Sequence, residues 1–280
     1  MSWSLPLAAA LALVAPGAPA QGDAVRASAP EPLVVGETFT LESKVLGETR
    51  RINVYLPPAY ADSAKARLPV LYMPDGGIGE DFLHVAGLLE VSIGNNTMRP
   101  FLLVGVENTQ RRRDLTGPTR NADDRKIAPH VGGSAAFREF IRSELMPVVN
   151  ARYRTTGETA IMGESLAGLF IVETFFLEPD LFDSYVAFDP SLWWDDGALV
   201  AHPLPTWTSS AGRRKVLYLA ASRDDRGELT SRLAARLQKA TPPGLEVHFE
   251  PMPQEAHSTI YHPAALSAVR RVFGPESGAH

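Results

Sequence analysis

Short apolar runs alternate with amphipathic stretches along most of this chain. Runs of consecutive apolar residues are typical of strands that are covered on both faces of a sheet. We predict such strands at Leu68–Met73, Phe101–Val106, Thr159–Met162, Tyr185–Phe188 and Val216–Ala221, and a further strand at Leu245–Glu250. Apolar residues at three- and four-residue intervals predict helices over Phe82–Ile93, Ser134–Tyr153, Glu228–Lys239 and Pro263–Phe273.

Two segments before the first of these strands have a different pattern. Thr38–Leu46 and Arg51–Leu56 alternate apolar and polar residues on either side of Gly47 and Glu48, which predicts an antiparallel hairpin. Ser134 is the expected N-cap of its helix. Strands that alternate with helices predict an α/β fold, in which a doubly wound, mostly parallel sheet of about eight strands has helices on both faces.

The first residues have the pattern of a secretory signal peptide. Leu5–Val14 is apolar, and Ala18-Pro19-Ala20 resembles a cleavage site, so we predict a signal peptide over 1–20 and export to the periplasm or medium. The segment before the apolar run has no Lys or Arg, and the alternative is an apolar leader without an export function. Residues 21–32 are predicted to be flexible and 33–275 to form one catalytic domain.

Composition excludes several classes of function. The chain of 280 residues has a net charge of -5 with both signs mixed, so no basic face for nucleic acid is expected. No segment after the signal peptide is long and apolar enough to span a membrane. The chain has no cysteine, and its histidines have no metal-binding spacing, so we expect neither a metal site nor a cofactor. The sequence carries no indication of an oligomeric state.

The stretch TAIMGESLAGLF, Thr159–Phe170, predicts a strand, a tight turn of small residues and a buried helix. Ser165 lies at the turn, between Gly163 and Ala167, as in the nucleophile elbow G-x-S-x-G. The pattern alone is weak, because a match of this kind arises by chance in many sequences. The flanking strand and helix favour Ser165 as a catalytic nucleophile over an ordinary turn serine.

Candidate partners of the serine follow later strands in the order acid, then histidine. Ligands of such sheets bind at the carboxyl ends of the strands. His257 is the expected general base, with His262 as its rival, because an imidazole can take the serine proton near neutral pH. Asp224 is the first choice for the acid that orients the imidazole, although it could only cap the following helix; the alternative acids are Asp225, Glu228 and Asp189.

Backbone donors and aromatic residues complete the predicted site. An oxyanion needs N–H donors that are in place before reaction, and we expect them at Leu166 and at Gly76 or Gly77, unless the glycines form a plain turn. Arg113, in the run after Phe101–Val106, is a candidate for binding an anionic substrate group, although such a run is usually a solvated loop. Trp193 and Trp194 are adjacent, so at least one is expected to line a substrate pocket.

Several segments together resemble a known family. LPVLYMPDGG, GESLAGLF, PDLFDSYVAFDPSLWWDD and EAHSTIYHPAAL are similar to the Putative esterase family of α/β-hydrolases, which includes the enterochelin (ferric-siderophore) esterases. The resemblance implies the α/β-hydrolase fold, with Ser165 as nucleophile, His257 as its histidine, and the RDLT loop and tryptophans beside the pocket. The family more often has His before the serine and Gly at the second small position, where this chain has Glu164 and Ala167, and its acid varies in position.

These observations predict a cofactor-independent serine esterase that hydrolyses carboxylic esters through an acyl-enzyme, using a Ser-His-Asp triad. The expected partner is a small-molecule ester, of siderophore or aryl type. One alternative is an acyltransferase of the same fold, in which an alcohol replaces water. The other is a catalytically inactive hydrolase fold that only binds a ligand.

Overall fold

The structure is a computed structural model that describes residues 28–206, 215–240 and 242–275. The predicted signal peptide lies outside the described residues, so it and the export of the protein stay predictions. Residues 28–34 are exposed and form no helix or strand. The elements below belong to the unit that begins at Val35.

Eight strands form one sheet, in the spatial order β1-β2-β4-β3-β5-β6-β7-β8. The first two form the predicted hairpin, and β2 also pairs antiparallel with β4; all other neighbours are parallel. The mostly parallel sheet of eight strands is therefore confirmed. The strands are β1 (Glu37–Ser43), β2 (Glu48–Tyr55), β3 (Leu68–Met73), β4 (Leu102–Val106), β5 (Thr155–Glu164), β6 (Ser184–Phe188), β7 (Lys215–Ser222) and β8 (Leu245–Met252).

Helices connect the strands and cover both faces of the sheet. They are α1 (Pro58–Ala61), α2 (Phe82–Gly94), α3 (Arg111–Asp114), α4 (Ser134–Phe140), α5 (Met146–Arg152), α6 (Leu166–Leu177), α7 (Leu229–Ala240) and α8 (Tyr261–Val272). Short 3₁₀ segments lie at Asp124–Lys126, Trp194–Ala201 and Arg226–Glu228. The predicted helices are all present, apart from the break described next.

The helix predicted over Ser134–Tyr153 is interrupted. A π-helical turn, Ile141–Leu145, separates α4 from α5, and the Met146 N–H donates to the carbonyl of Ile141, five residues earlier. Pro147 explains the position of the break, because proline has no N–H to continue the regular pattern. The N-cap prediction is wrong: Gly133 occupies that position, and the buried Ser134 hydroxyl has no hydrogen-bond partner among the described residues.

Adjacent strand residues point into two separate apolar layers. Leu71 packs with α2 and α8 on one face, whereas Tyr72 packs with α4 and α6 on the other. Both faces of the central strands are therefore buried, which accounts for their uninterrupted apolar sequences. Within the described residues, no helix is both long enough and apolar enough to cross a membrane.

Candidate active site

The turn between β5 and α6 presents Ser165 at the carboxyl end of the sheet. Ser165 has φ 61°, in the left-handed region that costs energy for a residue with a side chain. The turn is tight: a Cβ on Gly163 would lie 2.7 Å from the Cβ of the buried Ala167. Glycine at 163 therefore leaves room for alanine at 167, and the backbone turns as expected for a nucleophile elbow.

The imidazole of His257 lies directly beside this serine. His257 is in the loop between β8 and α8, and its Nε2 is 3.0 Å from Ser165 Oγ. This is hydrogen-bond distance, at which a neutral imidazole can accept the hydroxyl proton. The rival His262 points elsewhere, since its Nδ1 is 2.8 Å from Nε2 of His84.

The carboxylate beside the imidazole belongs to Asp189, which follows β6. Asp189 Oδ2 is 2.7 Å from His257 Nδ1, and the Ser222 hydroxyl and N–H donate to the same carboxylate at 2.7 and 3.0 Å. Burial alone would raise the pKa of Asp189, but the hydrogen bonds from His257 and Ser222 outweigh it and hold the pKa below its ordinary value. Asp189 is therefore ionised next to the imidazole at neutral pH.

The structure corrects the first choice of acid. Asp224 Oδ2 accepts a hydrogen bond from the backbone N–H of His257, at 2.8 Å, so Asp224 fixes the loop and Asp189 contacts the ring. Asp225 is also engaged elsewhere, because it accepts hydrogen bonds from the N–H and hydroxyl of Thr230 at the start of α7. Glu228 is exposed in the preceding 3₁₀ segment. Of the four candidate carboxylates, Asp189 alone lies within hydrogen-bond distance of the imidazole.

The protonated form of His257 is favoured by its surroundings. The hydrogen bond with Asp189 raises the pKa of His257 most; burial opposes this, and the charges of Glu164, Asp189 and Asp224 raise the pKa further. An imidazole in these surroundings can hold a proton taken from the serine and return it later.

The expected oxyanion donors are only partly available. Leu166 is the first residue of α6, so its N–H has no partner within the helix. The expectation for the glycines is not met, because Gly76 N–H donates to the Val106 carbonyl at 3.0 Å and Gly77 N–H donates to the Glu80 carboxylate at 2.7 Å. Both groups are already satisfied, so neither is free to bind an oxyanion in this structure.

A cavity of about 260 Å³ opens beside Ser165 and His257. Trp193, Leu229 and Arg226 line it, and the Arg226 guanidinium lies 5.0 Å from the centre of a Trp193 ring. Trp193 thus lines the cavity, as expected for one of the two tryptophans. Trp194 is buried instead, and its indole N–H donates to the Gly117 carbonyl at 3.0 Å.

Arg113 does not reach this cavity. Its guanidinium donates to Glu48 and to Asp114, in each case at 2.7 Å. The same two carboxylates also pair with the fully buried Arg50. Arg111, from the same run, binds Asp75 through two hydrogen bonds of 2.7 and 2.8 Å. The expectation that Arg113 binds an anionic group of the substrate is not met, because its guanidinium is already paired with two carboxylates.

Three residues of the site had not been singled out from the sequence. Ser222 supports Asp189, Ser191 Oγ lies 3.5 Å from Ser165 Oγ, and Arg226 covers Trp193. A single serine or arginine carries no sequence pattern that distinguishes it from a solvated residue. In the part of the chain that the structure describes, no group of three or more His, Asp or Glu side chains is arranged to hold a metal ion.

Comparison with known families and proteins bears on the family, the fold and the class of reaction. The family model described as "Putative esterase" matches residues 43–231. The ferri-bacillibactin esterase BesA of Bacillus subtilis is 24% identical over 266 residues, 83% of this chain and 88% of that protein. The siderophore triacetylfusarinine C esterase of Aspergillus fumigatus is 34% identical over 187 residues, 59% of each chain.

Solved structures share the fold. An IroE-like serine hydrolase from Shewanella oneidensis superposes with a TM-score of 0.74 and 28% identity, over 85% of this chain and 80% of that one. The siderophore hydrolase EstB from Aspergillus nidulans, with a TM-score of 0.70 and 21% identity, covers 89% of this chain and 97% of its own, and at that identity it bears on the fold alone. The α/β-hydrolase fold is therefore established.

Proposed function

Because this chain belongs to the Putative esterase family and is a carboxylic ester hydrolase of the serine type, we propose that Ser165, His257 and Asp189 form its catalytic triad. The observation that carries the proposal is the continuous chain of contacts from Ser165 Oγ to His257 Nε2, at 3.0 Å, and from His257 Nδ1 to Asp189 Oδ2, at 2.7 Å. Each group has the partner that its role requires.

The reaction proceeds through an acyl-enzyme. His257 takes the hydroxyl proton as Ser165 Oγ attacks the ester carbonyl, and the charge that develops on the carbonyl oxygen is stabilised by the Leu166 N–H. His257 then gives its proton to the leaving alcohol. In the second half, His257 takes a proton from water, whose oxygen attacks the acyl group, and returns that proton to Ser165 Oγ as the acid leaves. Asp189 stays ionised and holds the imidazole with Nδ1 protonated.

The substrate we propose is an ester of siderophore or aryl type. The relatives are named as esterases of ferri-bacillibactin and of triacetylfusarinine C. Beside the serine, Trp193 supplies an aromatic surface, and the Arg226 guanidinium next to it supplies a positive charge. A flat, anionic acyl or alcohol group could stack on Trp193 and be attracted by the charge of Arg226.

Two serines with neighbouring hydroxyls provide a matched test of the nucleophile. The purified Ser165→Ala variant is expected to lose hydrolysis of p-nitrophenyl acetate and covalent labelling by a fluorophosphonate, whereas Ser191→Ala keeps its labelling. The labelled peptide of the parent should contain Ser165. Parent-like activity of Ser165→Ala would refute the assignment, and a complete absence of labelling in the parent would favour the inactive ligand-binding alternative.

A further inference from the structure

A second carboxylate faces the nitrogen of His257 that Asp189 binds. Glu164 is the last residue of β5, immediately before Ser165, and its Oε1 lies 4.0 Å from His257 Nδ1. Its side chain is only 20% exposed. Across the described residues, no hydrogen bond is made by the Glu164 side chain, so this partly buried carboxylate does not hold the surrounding loop in place.

Charged and titratable groups from several elements surround Glu164. Asp81, at the start of α2, and Asp189 add negative charge, whereas Arg111 of α3 and His257 add positive charge. The Arg111 guanidinium already binds Asp75 through two hydrogen bonds, so its charge is largely offset.

Two further groups complete these surroundings. The Tyr261 hydroxyl on α8 is fully buried and has no hydrogen-bond partner among the described residues. The negative charges of Glu164, Asp81 and Asp75 add to the effect of burial in raising the pKa of Tyr261. Asp224 acts on the imidazole from the loop after β7. His257 is thus the nearest cation whose charge can change near neutral pH.

Burial raises the pKa of Glu164 to about 7; the positive charge of His257 opposes the rise, and the charges of Asp81 and Asp189 add to it. The carboxylate therefore titrates in the pH range where an imidazole also changes charge. Each group, when ionised, favours the ionised form of the other, so their protons come off as those of a coupled pair.

We infer that Glu164 is a positioning residue which, together with Asp189, stabilises the protonated imidazole of His257 at Nδ1. The inference rests on the proposed role of His257 as general base. When His257 takes the Ser165 proton, the nearby Glu164 carboxylate lowers the cost of the positive charge. The Glu164 carboxylate also keeps His257 protonated up to a higher pH. The neutral imidazole, which is the reactive form, therefore becomes the main form only at a higher pH.

The test is the pH dependence of Glu164→Gln, which removes the charge and nearly keeps the shape. We measure kcat/KM for p-nitrophenyl acetate between pH 5 and 9, and the titration of the His257 ring by NMR, with its signal assigned from a His257→Gln variant. The acid limb and the NMR midpoint should both move to lower pH. At each pH, the kcat/KM of the variant is divided by that of the parent. This ratio should be about threefold higher at pH 5 than at pH 9. Glu228→Gln, which removes an equal charge outside the site, should leave both curves unchanged.

The NMR titration separates failure of this inference from failure of the proposed function. In the parent, the His257 curve should deviate from a single-proton transition, and in Glu164→Gln it should become a simple one. Identical midpoints and curve shapes in both proteins would overturn the inference, whatever the activity. The other case is that Glu164→Gln shifts the His257 midpoint while Ser165→Ala leaves hydrolysis unchanged. That result would support the pairing of Glu164 with His257 and refute the triad.

Discussion

The carboxylate of Asp224 accepts a hydrogen bond from the backbone N–H of His257 at 2.8 Å, whereas the imidazole ring is hydrogen-bonded to Asp189 and Ser165. Two acids at the ends of neighbouring strands thus bind different parts of one histidine. Asp224 holds the loop that carries the residue, and Asp189 holds the ring itself at 2.7 Å. This division predicts different kinetic consequences for two chemically identical substitutions.

Asp189→Asn should lower kcat by a factor on the order of 10²–10⁴, because an amide facing Nδ1 can favour the wrong imidazole tautomer and cannot stabilise the imidazolium. Steady-state hydrolysis of an aryl ester measures the effect. Asp224→Asn is the matched control, and its kcat should stay within about tenfold of the parent, since the amide oxygen can still accept the His257 N–H. If the Asp224 variant were the more impaired of the two, Asp189 would not be the triad acid.

The fold was predictable because its signals are local. Both faces of the central strands are covered, so adjacent residues such as Leu71 and Tyr72 are both apolar and the strand is visible in the sequence. The break at Ile141–Leu145 was not predicted, because the apolar period continues through it. Proline at position 147 was its only sequence signal.

The site was less predictable than the fold, because its contacts join residues that are distant in sequence. Ser165 and His257 follow strand ends in the expected order, but Asp189 and Asp224 both do so as well. Which carboxylate meets the ring depends on loop geometry that no periodicity encodes. The same is true of Gly76 and Gly77, whose N–H groups are taken by Val106 and Glu80.

Gly163→Ala should distort the turn that presents Ser165. Its new Cβ would lie 2.7 Å from the Ala167 Cβ and 3.3 Å from Ile171 Cδ1, inside a closely packed turn. We expect a loss of stability of about 1–3 kcal/mol and at least about a tenfold loss of kcat/KM. Urea unfolding and ester hydrolysis measure the two effects.

A rescue variant identifies the cause of that loss. Gly163→Ala combined with Ala167→Gly removes the contacting methyl group, so it should recover part of both stability and activity. Gly87→Ala in α2, where a Cβ meets nothing within 4 Å, should be neutral or slightly stabilising. A double variant as impaired as Gly163→Ala would show that the contact with Ala167 is not the cause.

Substitutions of the two adjacent tryptophans should have different effects, one on substrate binding and the other on stability. Trp193→Ala removes an aromatic wall of the cavity and should raise KM for aryl esters by about three- to tenfold with little change in kcat. Simple alkyl esters serve as the control and should be much less affected. Equal effects on alkyl and aryl esters would contradict a stacking role for Trp193.

Trp194→Phe should act on the fold instead. It leaves the Gly117 carbonyl without the buried indole N–H that donates to it at 3.0 Å. The expected cost is about 1–3 kcal/mol in the free energy of unfolding, with KM nearly unchanged. A raised KM at unchanged stability would place Trp194 in the substrate pocket after all.

The partly buried carboxylate of Glu164 should lower the stability of the protein at neutral and alkaline pH. Its pKa is raised from 4.5 to about 7 by burial. Between these two values the folded state binds more protons than the unfolded state, so stability falls as the pH rises through this window. Glu164→Gln has no such titration. The variant should therefore match the parent at pH 4 and exceed it by about 1–3 kcal/mol at pH 8.

Urea unfolding of both proteins at pH 4, 6 and 8 measures this difference, with Glu228→Gln as the exposed control. The charge that helps His257 to hold a proton is the same charge whose burial opposes folding, so one substitution should raise stability and shift the acid limb of activity together. A difference in stability that is equal at pH 4 and pH 8 would mean that packing, and not ionisation of Glu164, is responsible. If Glu164→Gln were less stable at pH 8 than the parent, the carboxylate would be a structural contact.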